Sequence, residues 1–423
     1  MICHSGKRAK CHAGASRLQR NMKGLPTFGQ RRRCAKIEGA SHQSAAIERG
    51  SPVDKITRGV AARVGVDLSK RVIQVQAVDA CGRVLTNRTL GRDKFLPWCA
   101  QLPAGCMVVM EVSSSAHHWA RKLLAMGLDA RIVSAHLAAP YRSEGHVGKN
   151  DANDAAAICE AASRPHMRFV PVKSIEQQSL LCVHRLREGV KADRTACINR
   201  IRGLLLEFGI AVATGVRALQ TTLHDILEDA GNELNGLARM TLQRAHAQWR
   251  ELDEHLAWCD ARLAAHAADS ADVQRAADLM GVGPITASAA VATVGDFKQF
   301  DSGAQFGAWL GLVPKQRSSG GKSNLGTITK RGDAYLRTLL VQGAKSVVNT
   351  AHTRTDPISR WALALKQRSG WQKAVVALAN KNARILWAVM TRELRFDRHH
   401  VSTKPTGAMQ PPRSADPSSA AMA

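Results

Sequence analysis

Hydrophobic and polar positions begin to alternate at Arg63. Val64, Val66 and Leu68 alternate with Gly65, Asp67 and Ser69. After a Lys70-Arg71 turn, a second β-rich run extends from Val72 to Val78 and ends in a turn at 79–82. Two period-two runs joined by a short polar link predict a β-hairpin. The pattern continues as α/β to about residue 170. It predicts a strand over 83–90, a helix over about 92–101 and a buried strand over 106–112. A helix over 117–126, which Ser113 to Ser115 can cap, a strand over 128–133 and a helix opening in the segment 148–157 follow.

From 173 to 275 strong helix breakers are few. Ile201, Leu204, Leu205 and Phe208 recur at helical spacing, among Arg185, Arg187, Arg194, Arg200 and Arg202. This predicts a long helical connector, as an antiparallel hairpin or coiled coil, or equally an ordinary helical bundle. Leu279 to Ala287 resembles a helix-hairpin-helix turn, in which glycines expose backbone N–H groups beside a helix start suited to phosphate. A short apolar helix over 306–314, a helix over about 334–348 and two more helices within 357–395 follow, with Trp361, Trp371 and Trp387 as expected core anchors. The predicted organisation is a disordered basic arm (1–60), an α/β domain (63–172), a helical connector (173–275), a mainly helical C-terminal domain (276–395) and a disordered tail (396–423).

Composition narrows the function classes. A hydrophobic content of 45% supports real cores, while 4% aromatics predicts that they are packed from Leu, Val and Ala. The net charge of +26 points to a polyanion, DNA or RNA, because neutralising phosphates releases counterions. The first 60 residues alone carry 13 Lys and Arg against 3 acidic residues. No apolar run approaches the roughly 18 residues of a membrane span, and no secretory signal follows the N-terminus. The ten cysteines form no CxxC pair, which leaves zinc ribbons unsupported and suggests reduced thiols in a cytoplasmic protein.

The candidate chemistry lies in four carboxylates. Asp67 interrupts an apolar strand, Glu111 ends another, and Asp151 and Asp154 share a face near a helix start. Three of them have a plainer explanation: Asp67 as a strand-end residue facing solvent, and the helix pair as partners of the macrodipole. Their order along the chain is more telling. Four carboxylates converging on one sheet edge repel unless divalent cations lie between them. Two Mg²⁺ ions about 3.5–4 Å apart would then clamp the attacking and leaving oxygens of a phosphodiester, as in an RNase H-like nuclease core. Downstream, Ser318 and Ser319 sit between Arg317 and Lys322. They suit either a nucleophile near phosphates or a flexible phosphate-binding loop.

These motifs, in this order, resemble the transposases of the IS110/IS1111 insertion-sequence group over roughly residues 63–350. GVDLSK, VMEVSSS and GKNDANDAAAI resemble that group's RuvC-like DEDD domain. GVGPITA, FGAWLGLVP, RSSGGK and GTITKRGDAYLR resemble its second transposase domain. The resemblance implies Mg²⁺ held by Asp67, Glu111, Asp151 and Asp154, and Ser319 as covalent nucleophile on DNA, with Ser318 as the neighbouring alternative. It further implies DNA element ends and target as substrates and a structured element-encoded guide RNA; strand exchange, which needs several active sites, predicts a dimer or tetramer. Arg317, Lys322, Lys330, Arg331 and Arg337 are candidate phosphate contacts. The basic arm departs from the group's pattern, in which the first strand lies close to the N-terminus, and brings the start codon into question. Two rivals share parts of the pattern: a Holliday-junction-type nuclease that hydrolyses with water, and a non-catalytic nucleic-acid-binding protein.

Overall fold

A computed structural model describes residues 61–142, 150–317 and 324–400. The basic arm, the tail beyond residue 400, and Ser318, Ser319 and Lys322 lie outside the described residues.

The alternating runs pair into a mixed sheet. β1 (Arg63–Leu68) is antiparallel to β2 (Val72–Val78), and β2 is antiparallel to β3 (Val84–Gly91). Helix α1 (Arg92–Cys99) leads to β4 (Met107–Glu111), which returns parallel to β1. Helix α2 (Ala116–Ala125) leads to β5 (Asp129–Val133), parallel to β4. Helices α3 (Ala135–Ala138) and α4 (Asp151–Ala161) precede a two-residue β6 (Phe169–Val170) on the far edge, antiparallel to β5. The order is β3-β2-β1-β4-β5-β6. Ser115 stands at the N-cap of α2, but its hydroxyl makes no capping bond. The Ala116 N–H goes instead to the Ser113 carbonyl, at 3.2 Å.

Side-chain parity gives the sheet two different faces. Val64 and Val66 of β1, with Val108 and Met110 of β4, enter one core with Phe95, Trp98, Trp119 and Leu123 of α1 and α2. Val109 of β4 and Val133 of β5 enter a second core with Ile158 and Ala161 of α4. Gly65 faces α4 as well. A Cβ there would lie 2.2 Å from the Ala155 carbonyl oxygen and 2.6 Å from Cys159. Glycine thus lets α4 rest directly on the β1 backbone, and Arg63 Nε fastens the contact by donating to the Cys159 carbonyl at 2.8 Å.

Two long helices follow, α5 (Ile175–Glu207) and α7 (Gly236–Asp269), with α6 (Val216–Glu228) between them. A capping box of Ser174 and Gln177 starts α5. Arg187 pairs with Asp260, Arg194 with Asp253, and Cys197 lies against Ala245. Rising numbers on α5 thus meet falling numbers on α7, so the two run antiparallel. At one end, Ile201, Leu205, Leu219, Leu223 and Trp249 form a core of their own with α6.

The remaining helices are α8 (Ala271–Ala277), α9 (Pro284–Val294), α10 (Gly303–Trp309), α11 (Ala334–Thr350), α12 (Pro357–Ser369) and α13 (Trp371–Arg392). They surround one Leu, Val, Ala and Phe core. The glycine turn before α9 has a packing role. Gly281, at φ +82°, lies against Gly343 of α11, and a Cβ on Gly343 would fall 1.6 Å from the Gly281 carbonyl oxygen. Between α10 and α11 lies an antiparallel hairpin absent from the expected elements, β7 (Pro314–Gln316) and β8 (Leu325–Ile328). Its strands are short and largely exposed, so no apolar alternation marks them. Trp361 and Trp371 are not core anchors. Both are exposed, one beneath Lys381 and the other donating from Nε1 to Asn349 at 2.8 Å. Trp387 is half-buried against the core, its Nε1 donating to the Phe300 carbonyl at 3.1 Å.

Candidate active site

The acidic residues meet where the parallel strands β1 and β4 end. Val66 pairs with Met110, and one residue further along each strand stand Asp67 and Glu111, on the α4 side of the sheet by parity. Asn150 caps α4 by accepting from the Ala152 N–H at 3.1 Å. That start point places Asp151 and Asp154 in the first turn. Because Gly65 holds α4 against β1, this turn arrives beside Asp67. Oxygens of Asp67, Asp151 and Asp154 lie within 4.8 Å of one another. Asp67 is half-buried, Asp151 exposed and Asp154 buried.

Glu111 joins this group through a cation. Arg142 Nε lies 2.6 Å from Asp154 Oδ1, and its Nη2 lies 3.2 Å from Glu111 Oε2. The electrostatics reflect the crowding. Burial pushes the Asp67 carboxyl above its ordinary range, and Asp151, Asp154 and Glu111 push it further in the same direction. The Arg142 charge opposes them. The donors are all carboxylate oxygens, with no thiolate or imidazole among them. Such a set suits a hard divalent cation, which would relieve the same repulsion that raises Asp67.

The basic candidates lie around the hairpin. Arg317 directly follows β7, is exposed, and donates its backbone N–H to the Asn324 carbonyl at 2.9 Å. Lys330, at φ +54°, and Arg331 are exposed in the turn that follows β8. Arg337 differs from them. Its Nη1 donates to the carbonyls of Leu310 at 2.9 Å and Arg331 at 3.2 Å, tying α11 to the base of the hairpin. Ser318, Ser319 and Lys322 belong to the stretch joining β7 to β8, outside the described residues.

Two features escaped the sequence pattern. One is Arg142, a lone arginine ahead of the acidic helix whose role depends on tertiary proximity. The other is a buried polar trio linking three helices. His184 of α5 lies 3.0 Å from Tyr335 Oη of α11 through Nδ1, and 3.1 Å from Ser288 Oγ of α9 through Nε2. Burial pushes the His184 imidazole down to about 4, with Arg187 and His266 adding to the effect. The available signals were a histidine on an amphipathic helix and one of only two tyrosines in the chain.

Known proteins resemble the chain over most of its length. A DEDD-class IS110 family model described as "Transposase" matches residues 64–210. A second, described as "Transposase IS116/IS110/IS902 family", matches residues 273–357. A probable family 20 transposase of Pseudomonas aeruginosa is 45% identical over 332 residues, covering 78% of this chain and 97% of the relative. The transposase for insertion sequence element IS1111A of Coxiella burnetii is 40% identical over 78% of this chain and 90% of its own length. The transposase for insertion sequence element IS1328 of Yersinia enterocolitica is 34% identical over 79% and 98%. Among the described residues, no helix is long and apolar enough to cross a membrane.

Proposed function

The chain belongs to the IS110/IS116/IS902 family of transposases, and from that premise we propose that it cuts and rejoins DNA at a Mg²⁺ centre. In this reading an α/β domain of RuvC-like fold (63–172) carries the acidic residues, the helical connector (173–275) follows, and a C-terminal domain (276–395) carries the nucleophile. The convergence of Asp67, Asp151 and Asp154 oxygens within 4.8 Å is the observation that carries it. The macrodipole accounts for Asp151 and Asp154 at the start of α4, but not for Asp67 of β1 being brought among them, where its burial and the like charges raise its carboxyl. Glu111 completes the set of acidic ligands.

When bound, two Mg²⁺ ions would supply Lewis-acid polarisation of the scissile phosphate and neutralise charge on its leaving oxygen. The chain itself supplies the nucleophile. A serine hydroxyl is weak at neutral pH and needs an activated electrophile. Ser319 Oγ bonds to phosphorus as the strand's P–O bond breaks, and the seryl proton ends on the departing strand hydroxyl. A hydroxyl of another strand then attacks the phosphoserine, restoring the serine and rejoining DNA without net hydrolysis. Arg317, Lys322, Lys330 and Arg331 hold phosphate oxygens around the hairpin. Arg337 joins them as a phosphate contact while its Nη1 also secures the hairpin base. A structured guide RNA from the same element selects the partner DNA, and a dimer or tetramer brings the cutting sites together.

Incubation with labelled DNA and a denaturing gel tests the covalent step. Wild-type protein is expected to give a protein–DNA adduct that Ser319→Ala abolishes while DNA binding persists. An adduct lost in Ser318→Ala but kept in Ser319→Ala would move the role to Ser318. Cut DNA with no adduct in the wild type would favour a nuclease that hydrolyses with water.

A further inference from the structure

Arg142 is the only cation paired with the acidic group among the ion pairs of the described residues. Its contacts have an uncommon form. A guanidinium usually presents two parallel N–H groups to one carboxylate. Here Nε serves Asp154 at 2.6 Å and Nη2 serves Glu111 at 3.2 Å, so one charge is shared between carboxylates from α4 and β4. The two acids are well shielded, with side-chain exposures of 10% for Asp154 and 23% for Glu111, while that of Arg142 is 41%. The acids are thus largely shut off from water, whereas much of the arginine side chain is already in contact with it.

A divalent ion among Asp67, Asp151 and Asp154 would draw on the same negative charge that Arg142 neutralises, and would repel the guanidinium. Building on the metal-centre reading above, we propose that Arg142 is an exchangeable counter-ion. It neutralises Glu111 and Asp154 before metal arrives, is released when the divalent ion binds, and then takes a phosphate oxygen of bound DNA. The exchange makes full engagement of substrate depend on metal loading. A positive side chain is withheld from phosphate until the carboxylates have another partner.

A permanent structural bridge would behave in the opposite way, because its removal would disorganise the ligands and weaken metal binding. The sign of the change therefore decides. Full-length wild-type, Arg142→Gln and Arg142→Lys proteins are titrated with Mn²⁺ by electron paramagnetic resonance, with Asp67→Asn as the control. Arg142→Gln is expected to bind Mn²⁺ tighter than wild type by roughly three- to tenfold, through loss of a competing charge. It should also melt lower than wild type in EDTA, with the gap closing at saturating Mn²⁺. Arg142→Lys, which keeps the charge, should stay near wild type and guards against a folding defect. Unchanged or weaker Mn²⁺ affinity in a folded Arg142→Gln protein, with wild type binding normally, would overturn the exchange alone. Absence of Mn²⁺ binding in wild type would overturn the metal centre with it. Labelled DNA duplex read by anisotropy tests the second half. Arg142→Gln should lose affinity in Ca²⁺ but not in EDTA, and equal loss in both would overturn the transfer to phosphate.

Discussion

At the scale of single residues, the acidic group depends on an absent side chain. Gly65 lets α4 lie on β1, and Asp151 and Asp154 reach Asp67 only because that helix sits so close. Gly65→Ala must push the helix away or strain the strand. An overpacked core site of this kind typically costs about 1–3 kcal/mol. We expect a lower melting temperature together with weakened Mn²⁺ binding; wild-type metal affinity in that variant would separate the packing from the site. Asp67→Asn has a different signature. It removes the half-buried charge that Asp151, Asp154 and Glu111 repel, so the metal-free protein should melt higher than wild type, whereas Mg²⁺-dependent DNA cleavage should vanish. Retained cleavage would remove Asp67 from the proposed centre. The parity that places Asp67 and Glu111 on one face is legible in the sequence, because a strand's period is fixed. The part played by Arg142 is not, since nothing local distinguishes it from other surface arginines.

At the scale of elements, long periodic segments were readable and short ones were not. β1, β2 and β4 advertise themselves by apolar runs, and α5 and α7 by the absence of breakers. The β7–β8 hairpin has nothing comparable, because Leu325 and its neighbours are exposed. The tryptophan expectation fails for Trp361 and Trp371, which are exposed on α12 and at the start of α13, while Trp387 packs half-buried against the core. The trio of His184, Ser288 and Tyr335 joins α5, α9 and α11 and leads to a pH prediction. The imidazole sits near 4 in the folded chain against 6.5 ordinarily, so the unfolded chain binds the extra proton between those values. Stability conferred by the neutral histidine is therefore fully present above pH 6.5 and is lost as pH falls toward about 4. Protonation costs about 1.4 kcal/mol for every pH unit that separates the folded from the unfolded imidazole, so the loss is on the order of 3 kcal/mol. Denaturant melts should show His184→Gln less stable than wild type at pH 7, with the gap narrowing on acidification. A pH-independent gap would contradict the buried neutral histidine. His117, also held near 4, supplies a similar slope in both proteins. Tyr335→Phe should cost about 1 kcal/mol by stripping one partner from the buried imidazole.

At the scale of the whole molecule, the net charge of +26 sets the interaction with nucleic acid. DNA affinity should fall steeply with salt, with a log–log slope of about −0.9 for each phosphate neutralised. A flat salt response would mean that the excess charge lies away from the bound strand. Lys173, just ahead of α5, is tied to helix α2 beside the sheet. The backbone N–H of Lys173 donates to His117 Nδ1 at 3.2 Å, Arg121 Nη1 donates to the Lys173 carbonyl at 2.6 Å, and the Asp333 charge acts on the Lys173 ammonium. Asp333 caps α11, the helix that follows the hairpin. Such contacts couple residues far apart in the chain and leave no trace in local periodicity, which is why the strands and helices could be read but their junction could not. Everything proposed about chemistry rests on divalent ions gathering at the end of β1. Anomalous scattering from crystals soaked in Mn²⁺ tests this most directly: a peak is expected between Asp67, Asp151 and Asp154. An empty cluster in soaked crystals, or manganese bound only elsewhere on the protein, would contradict it.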